Sequence, residues 1–153
     1  MAVDIKQSYR RLLEEAYGKG NVDVLDEICD PAFKTHITLT GDSDLRQEKE
    51  NIRMFRTAFP DLKCTVLAAF AEGDTATIQF RMSGTHQGAL SLLGIPPTGK
   101  RATVDGISVG RFRSGKLVEN WTQWDAPALL QQLGVFQIAT TGATSSSETR
   151  PHA

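Results

Sequence analysis

The feature that most constrains the fold is a change of hydrophobic period at Pro60. Before it, apolar residues recur every three or four positions, which is the spacing of a helix. After it, apolar and polar residues alternate, which is the spacing of a half-buried strand. Helices followed by consecutive strands predict an α+β fold in which the helices pack on one face of a sheet.

Three helices are predicted before this point. The first follows Asp4, a candidate N-cap, and the second is stopped by Pro31. The third follows an acidic turn at residues 41–44 and ends at Pro60. A strand at residues 33–40 is predicted between the second and third helices.

Four strands, one short helix and a tail are predicted in the remainder of the chain. The strands are expected at residues 62–70, 75–83, 101–113 and 116–124. Tight turns join most of them, which favours one curved antiparallel or mixed sheet, closed by the helices into a cone around a pocket. The domain is expected to span residues 1–136. The tail, residues 137–153, has few apolar residues to bury and is expected to be disordered.

Composition excludes several classes of function. The 17 Lys and Arg residues nearly balance the 18 Asp and Glu residues, so neither nucleic acid nor an anionic membrane is expected to attract the chain. No apolar run approaches the about 20 residues that cross a bilayer, and no signal peptide is recognised, so a cytoplasmic protein is expected. Cys29 and Cys64 lack CxxC spacing, and the histidines lack metal-ligand spacing with carboxylates. We therefore expect reduced cysteines, no metal and no bound cofactor.

Four motifs follow one another along the second half of the domain: FRTAFPDL at 55–62, GTHQG with GIPPTGK within 84–100, RFRSGKLVENW at 111–121, and WDAPALLQQLG at 124–134. In this order they resemble the SnoaL-like proteins of the NTF2-like superfamily. The resemblance covers about residues 5–134. It implies a cone-shaped domain that acts in aromatic polyketide biosynthesis, commonly as a dimer or tetramer.

The resemblance also shows a departure at two positions. In the family's cyclase an aspartate removes an activated proton and a histidine assists, with no cofactor, in an intramolecular aldol ring closure. The Arg-x-x-x-Gly-Lys turn at residues 111–116 aligns the histidine with Ser108 and the aspartate with Thr122. Threonine is too weakly acidic to serve as a general base near neutral pH.

This departure resembles the branch associated with hydroxylation of anthracycline aglycones. The predicted function is therefore hydroxylation of a polycyclic aromatic substrate, with a partner reductase as a candidate source of electrons. Aldol or ester cyclisation with a displaced base is the alternative. A non-catalytic module for ligand binding or dimerisation is the second alternative.

Asp105 is the first candidate for the displaced base. It lies in RATVDGISV among small and apolar residues, where an unpaired carboxylate is costly. Inside the cone, desolvation would raise its pKa and make it a usable proton acceptor. The alternative is an ion pair with Arg101 or Arg111, or a position that faces solvent.

Three further residues are candidates for proton transfer, each with a structural alternative. Asp125 precedes Ala-Pro at the start of the last helix and is equally suited to be its N-cap. Asp61 follows Pro60, where capping a turn is the ordinary explanation. His36 titrates near neutral pH and acts if its face of the strand lines the cone, but is a surface residue if it does not.

Substrate contacts are expected from six residues: His86, Ser108, Asn120, Trp121, Thr122 and Trp124. Trp121 and Trp124 fall on opposite faces of a regular strand. The face that carries Asn120, Thr122 and Trp124 is expected to line the pocket, with an aromatic wall suited to a flat ring system. His86 stands at the mouth of an apolar loop, residues 88–99, and its alternative is a solvated loop residue. The loop itself is expected to cover the pocket or to contact a partner subunit.

Overall fold

The computed structural model describes residues 3–135. Within them lie four α-helices: α1, Ile5–Leu12; α2, Val24–Ile28; α3, Leu45–Ala58; and α4, Ala126–Gln132. The same residues form six strands: β1, Cys29–Ile37; β2, Gly41–Asp44; β3, Lys63–Glu72; β4, Thr75–Thr85; β5, Arg101–Arg113; and β6, Lys116–Trp124. The predicted tail, residues 137–153, lies outside the described residues.

The first helix begins where its cap predicts. The Asp4 carboxylate accepts a hydrogen bond from the Gln7 backbone N–H at 3.2 Å. Beyond Leu12 the helix continues as a π-helical turn over Leu13–Tyr17. Such turns are rare and are often found at functional sites. No helix in the described part of the chain is both long and apolar enough to cross a membrane.

The acidic segment before α3 differs from its prediction as a turn. Gly41–Asp44 form the short strand β2, which pairs antiparallel with β1. Its last residue, Asp44, then caps α3: the carboxylate accepts from the Gln47 N–H at 2.8 Å, and the Gln47 side chain accepts from the Asp44 N–H at 3.3 Å. This reciprocal capping box satisfies two backbone donors that would otherwise be unpaired.

The six strands form one mixed sheet in the order β2-β1-β6-β5-β4-β3. Strands β3 to β6 form an antiparallel meander, whereas β1 runs parallel to β6. A register shift occurs between Cys29 and Lys34, in the part of β1 that contains Pro31. The shift is consistent with proline, because its backbone has no N–H to donate to a regular ladder.

Two clusters of buried side chains lie around the cone. The larger one joins α1, α2 and the sheet, and includes Tyr9, Leu25 and Ile78. The smaller one lies where the apolar loop meets α4, and includes Leu90 and Leu133. Leu90 is fully buried, so at least this part of the predicted loop packs on its own domain.

Candidate active site

A cavity lies between the sheet and the helices, with walls contributed by every helix and by four of the strands. Its lining is mainly apolar, with aromatic rings from Tyr17, Phe33, Phe55, Phe59, Phe80 and Trp124. The Trp124 indole packs edge-on against Phe55, with 6.1 Å between ring centroids, and its Nε1–H donates to the Thr38 carbonyl oxygen at 3.0 Å. Walls of this kind suit a flat, unsaturated ligand.

Glu48 brings a carboxyl group into this apolar cavity. It lies on α3 and is only 4% exposed. The Tyr17 hydroxyl donates to its Oε2, and the Asn51 Nδ2 donates to its Oε1 at 3.3 Å. Burial raises the pKa of Glu48 to about 7, although these two donors oppose the rise by stabilising the carboxylate. Glu48 is therefore populated in both protonation states near neutral pH and can take or give a proton there.

A polar patch interrupts the apolar lining on strands β5 and β6. Ser108, Asn120 and Thr122 all line the cavity, and Ser108 Oγ lies 2.7 Å from Thr122 Oγ1. Behind them the buried Tyr9 hydroxyl accepts a hydrogen bond from Asn120 Nδ2 at 3.0 Å. With Trp124, four of the six residues predicted to contact substrate therefore line one cavity.

Asp105 does not lie in the cavity, so the interior position expected for it is wrong. Its carboxylate pairs with Arg81 through two hydrogen bonds, Nε to Oδ1 at 2.8 Å and Nη2 to Oδ2 at 3.0 Å. Its side chain is 47% exposed, and Arg81 lowers its pKa instead of burial raising it. The reason is that β5 pairs regularly with β4 from Asp105 to Ser108, so the two side chains point to opposite faces.

His36 and Trp121 also lie outside the cavity, on the outer face of the sheet. The His36 ring nitrogens are 2.8 Å from Asp42 Oδ1 and 2.8 Å from Glu119 Oε2. These carboxylates, Asp42 first, raise the pKa of His36. The ring stacks on Trp121, which is 43% exposed. His36 is thus a surface residue, as its alternative interpretation stated. Of the two tryptophans, Trp124 lines the cavity and Trp121 does not.

Asp125 has the structural role named as its alternative, whereas Asp61 has a structural role other than the turn cap named for it. The Asp125 carboxylate accepts from the Ala128 N–H at 3.1 Å and caps α4. The Asp61 carboxylate accepts from the Thr85 N–H at 2.7 Å and from the Thr85 hydroxyl at 3.0 Å. The backbone donor of Thr85 is the main cause of a lowered pKa for Asp61. Both side chains are occupied in fixing backbone at the surface.

His86 is neither solvated nor part of the cavity lining. It is fully buried, and its ring stacks on Phe59 with 5.2 Å between centroids. Its Nδ1 accepts from the Thr98 backbone N–H at 3.2 Å, and its own backbone pairs with Lys100 and Gly99. Burial lowers the pKa of His86. It anchors the base of the apolar loop.

Within residues 3–135, no three His, Cys, Asp or Glu side chains come together in a way that could hold a metal ion. Two ionisable side chains line the cavity among the described residues, Glu48 and Tyr17. Burial raises the pKa of Tyr17 well above its usual value, so Glu48 is the better suited of the two to exchange a proton near neutral pH.

Residues 7–133 match the family of SnoaL-like polyketide cyclases. The chain belongs to this family. Because the match spans nearly all of the described residues, the family assignment and the NTF2-like α+β fold predicted from the motifs are both confirmed. No curated protein is significantly similar to the chain.

Solved structures of SnoaL-like proteins superpose on the domain. A candidate SnoaL-like polyketide cyclase from Jannaschia sp. CCS1 is 24% identical with a TM-score of 0.77, over 87% of this chain and 93% of that chain. AclR, a candidate hydroxylase from Streptomyces galilaeus, is 24% identical with a TM-score of 0.75, over 90% and 91%. IdmH, a candidate polyketide cyclase from Streptomyces antibioticus, is 26% identical with a TM-score of 0.73, over 86% and 99%. Because the first two structures are only 24% identical to this chain, their similarity shows a shared fold but not a shared activity.

Glu48 is the residue of this SnoaL-like protein that the motifs did not indicate. It stands in the charged run RQEKEN, which is typical of a solvated helix face. The helical period nevertheless contains the signal: Glu48 follows Leu45 by three positions and precedes Ile52 by four, on the apolar face of α3. A charge on that face is costly unless it is hydrogen-bonded, paired or neutralised, so an acid there calls for an explanation that its exposed neighbours do not need.

Proposed function

We propose that the protein is a tailoring enzyme of aromatic polyketide biosynthesis, in which Glu48 is the general base. The observation that carries this proposal is a carboxyl group with a pKa of about 7 in a cavity with aromatic walls. A base is most effective when its pKa lies near the working pH, and Glu48 meets this condition because of its burial.

The chemistry that needs least beyond these residues is ring closure. The Glu48 carboxylate removes a proton from a carbon activated by neighbouring carbonyl groups, and the electron pair is left as an enolate. The enolate carbon attacks a carbonyl of the same molecule, and the carboxylic acid returns its proton to the new alkoxide. No atom is gained or lost, and a positioned base of this kind contributes about 10²–10⁴ in rate.

The position of Glu48 supports the alternative of a displaced base. Thr122 stands where the resemblance places the base of the ring-closing cyclase, and Ser108 stands where it places the histidine. Both line the same cavity as Glu48. A carboxylate on α3 therefore faces the reaction space from the helical side, whereas the sheet contributes only neutral polar groups.

Hydroxylation is the second candidate function, favoured by the loss of both cyclase residues and by the similar fold of the candidate hydroxylase AclR. Here Glu48 deprotonates a phenol or hydroquinone, and the resulting anion reacts with dioxygen. One oxygen atom enters the ring as a hydroxyl, and the other leaves as water after a partner reductase supplies two electrons and two protons are taken up from solvent. The proton transfer to Glu48 is the same in both candidates.

Gene deletion followed by mass analysis of the accumulated intermediate tests both candidates. An intermediate with the same mass as the product of this step but with an unclosed ring supports cyclisation. An intermediate that lacks one oxygen supports hydroxylation. Reintroducing the Glu48→Gln variant is expected to leave the intermediate in place, whereas Glu48→Asp restores part of the product.

Asp105→Asn is the matched control, since it makes the same carboxylate-to-amide change on the outer face of the sheet. It is expected to restore product fully. Full restoration by Glu48→Gln would exclude Glu48 as the base. If Glu48→Gln restored product but disruption of the aromatic wall abolished it, the protein would be assigned a non-catalytic ligand-binding role in place of an enzymatic one.

A further inference from the structure

Four polar side chains form a continuous hydrogen-bonded chain at the sheet side of the cavity. Asn120 Nδ2 donates to the Tyr9 hydroxyl at 3.0 Å, the Tyr9 hydroxyl contacts Ser108 Oγ, and Ser108 Oγ lies 2.7 Å from Thr122 Oγ1. Tyr9 is fully buried, Ser108 is 1% exposed and Asn120 is 7% exposed. Such a chain is costly to bury unless each member is satisfied.

The chain has a direction because each hydroxyl has one proton. Tyr9 accepts from Asn120, and its own buried proton is satisfied when it is donated to Ser108. Ser108 accepts that proton, so its own proton goes to Thr122. Thr122 then has a hydroxyl proton left to donate, and it lines the cavity.

The other end of the chain leaves an acceptor. Asn120 Oδ1 is buried and has no hydrogen-bond partner among the described residues, and Asn120 also lines the cavity. A buried amide oxygen without a partner is destabilising, and a ligand that donates to it would recover that cost. If the amide is turned over, the whole chain reverses, and Asn120 becomes the free donor while Thr122 becomes the free acceptor. In both cases the two ends of the chain, Asn120 and Thr122, hold one unused donor and one unused acceptor, and both residues line the cavity.

We propose that Asn120 and Thr122 form a subsite for a hydroxyl group on an aromatic ring. A hydroxyl is the small group that accepts one hydrogen bond and donates another, and it matches the pair for either direction of the chain. The subsite deepens the proposed function, on which it rests for an aromatic substrate in this cavity. It assigns recognition to the sheet side and proton transfer to Glu48 on the helical side. Tyr9 and Ser108 act through their neighbours as positioning residues.

Two probes of equal size test the subsite: 2-naphthol and 2-methylnaphthalene, with binding to the full chain measured by NMR titration. The wild-type protein is expected to bind 2-naphthol at least about tenfold more tightly, because a site built around a hydroxyl rejects an analogue that leaves its polar groups unpaired. Thr122→Val is expected to bring the two affinities within about threefold. Thr122→Ser is expected to keep the preference. Equal affinities in the wild type, or no binding of either probe, would overturn the proposal.

Thr35→Val is the matched control. Thr35 is fully buried on β1 opposite Asn120, and its Oγ1 has no partner among the described residues, so it tests a buried threonine beside the subsite that is not part of the cavity lining. This variant should keep the preference for 2-naphthol. Glu48→Gln should also keep the preference for 2-naphthol. The experiment therefore tests the subsite independently of the proposed role of Glu48 as the base. A preference lost in Glu48→Gln and kept in Thr122→Val would place the hydroxyl at Glu48 and refute the subsite.

Discussion

Replacing Glu48 by Gln should remove a large pH dependence of stability. The folded state raises the pKa of Glu48 from 4.5 to about 7 through burial. Between these two values the folded protein holds a proton that the unfolded chain has released. Raising the pH therefore destabilises the fold, and the contribution that Glu48 makes below pH 4.5 is lost as the pH passes through about 7.

The size of this effect follows from the two pKa values. One pKa unit corresponds to about 1.4 kcal/mol, so the wild type should lose about 3 kcal/mol relative to Glu48→Gln as the pH rises across this interval. Above about pH 7.5 the difference should level off, because Glu48 is then ionised in both states. A domain is typically stable by about 5–15 kcal/mol, so the loss is well within the range that denaturation measures.

The assay is urea denaturation of both proteins at pH steps from 4.5 to 8.5, followed by tryptophan fluorescence. Subtracting the variant's free energy of unfolding from that of the wild type removes the contributions of the other titrating groups. Asp105→Asn is the control, since Arg81 lowers the pKa of Asp105 below this pH range and its difference from wild type should stay constant. A Glu48 difference that stays flat within about 1 kcal/mol, or that grows with pH, would refute the burial of an ionisable group at this position.

Three other variants test separate parts of the structure. Tyr17→Phe removes a donor to the Glu48 carboxylate, so the pKa of Glu48 should rise. The pH–rate profile of product formation should then shift to higher pH, and an unchanged profile would contradict the hydrogen bond. Asp44→Ala should cost about 1 kcal/mol in urea denaturation through loss of the capping box, whereas Asp44→Asn should cost less. Gly88→Ala should cost at least about 1–3 kcal/mol, because its Cβ would lie 2.2 Å from the Thr57 carbonyl oxygen; a melting temperature equal to wild type would show that the backbone relaxes freely.

The sequence predicted most of the elements because their signals are local. The strands at 101–113 and 116–124 have the predicted bounds, and α1 and α4 begin at the predicted caps. The parallel pairing of β1 with β6 could not be read in this way, since it joins residues far apart in the chain. The strand β2 was also hidden, because its four polar residues show no apolar alternation.

The candidate site was predicted in part, for a similar reason. Alternation along β6 correctly places Asn120, Thr122 and Trp124 on one face, and that face lines the cavity. The same alternation places the Asp105 side chain on the face opposite Ser108. The prediction of a buried Asp105 relied instead on its apolar neighbours in the sequence. An arginine on the adjacent strand satisfies that acid at the surface, and sequence alone does not reveal cross-strand partners. Glu48 was missed because its charged neighbours outweighed its place on the apolar face.

The parallel pairing of β1 with β6 has a consequence for synthesis of the protein. Cys29 lies opposite Leu117, so β1 emerges from the ribosome long before its central partner exists. Pairing over such a sequence separation is slow, because a long loop must close first. The edge of β1 that pairs with β6 therefore stays unpaired until β6 has been synthesised. Ligand binding should accordingly appear only once β6 has been released, which makes it a stringent marker of complete folding.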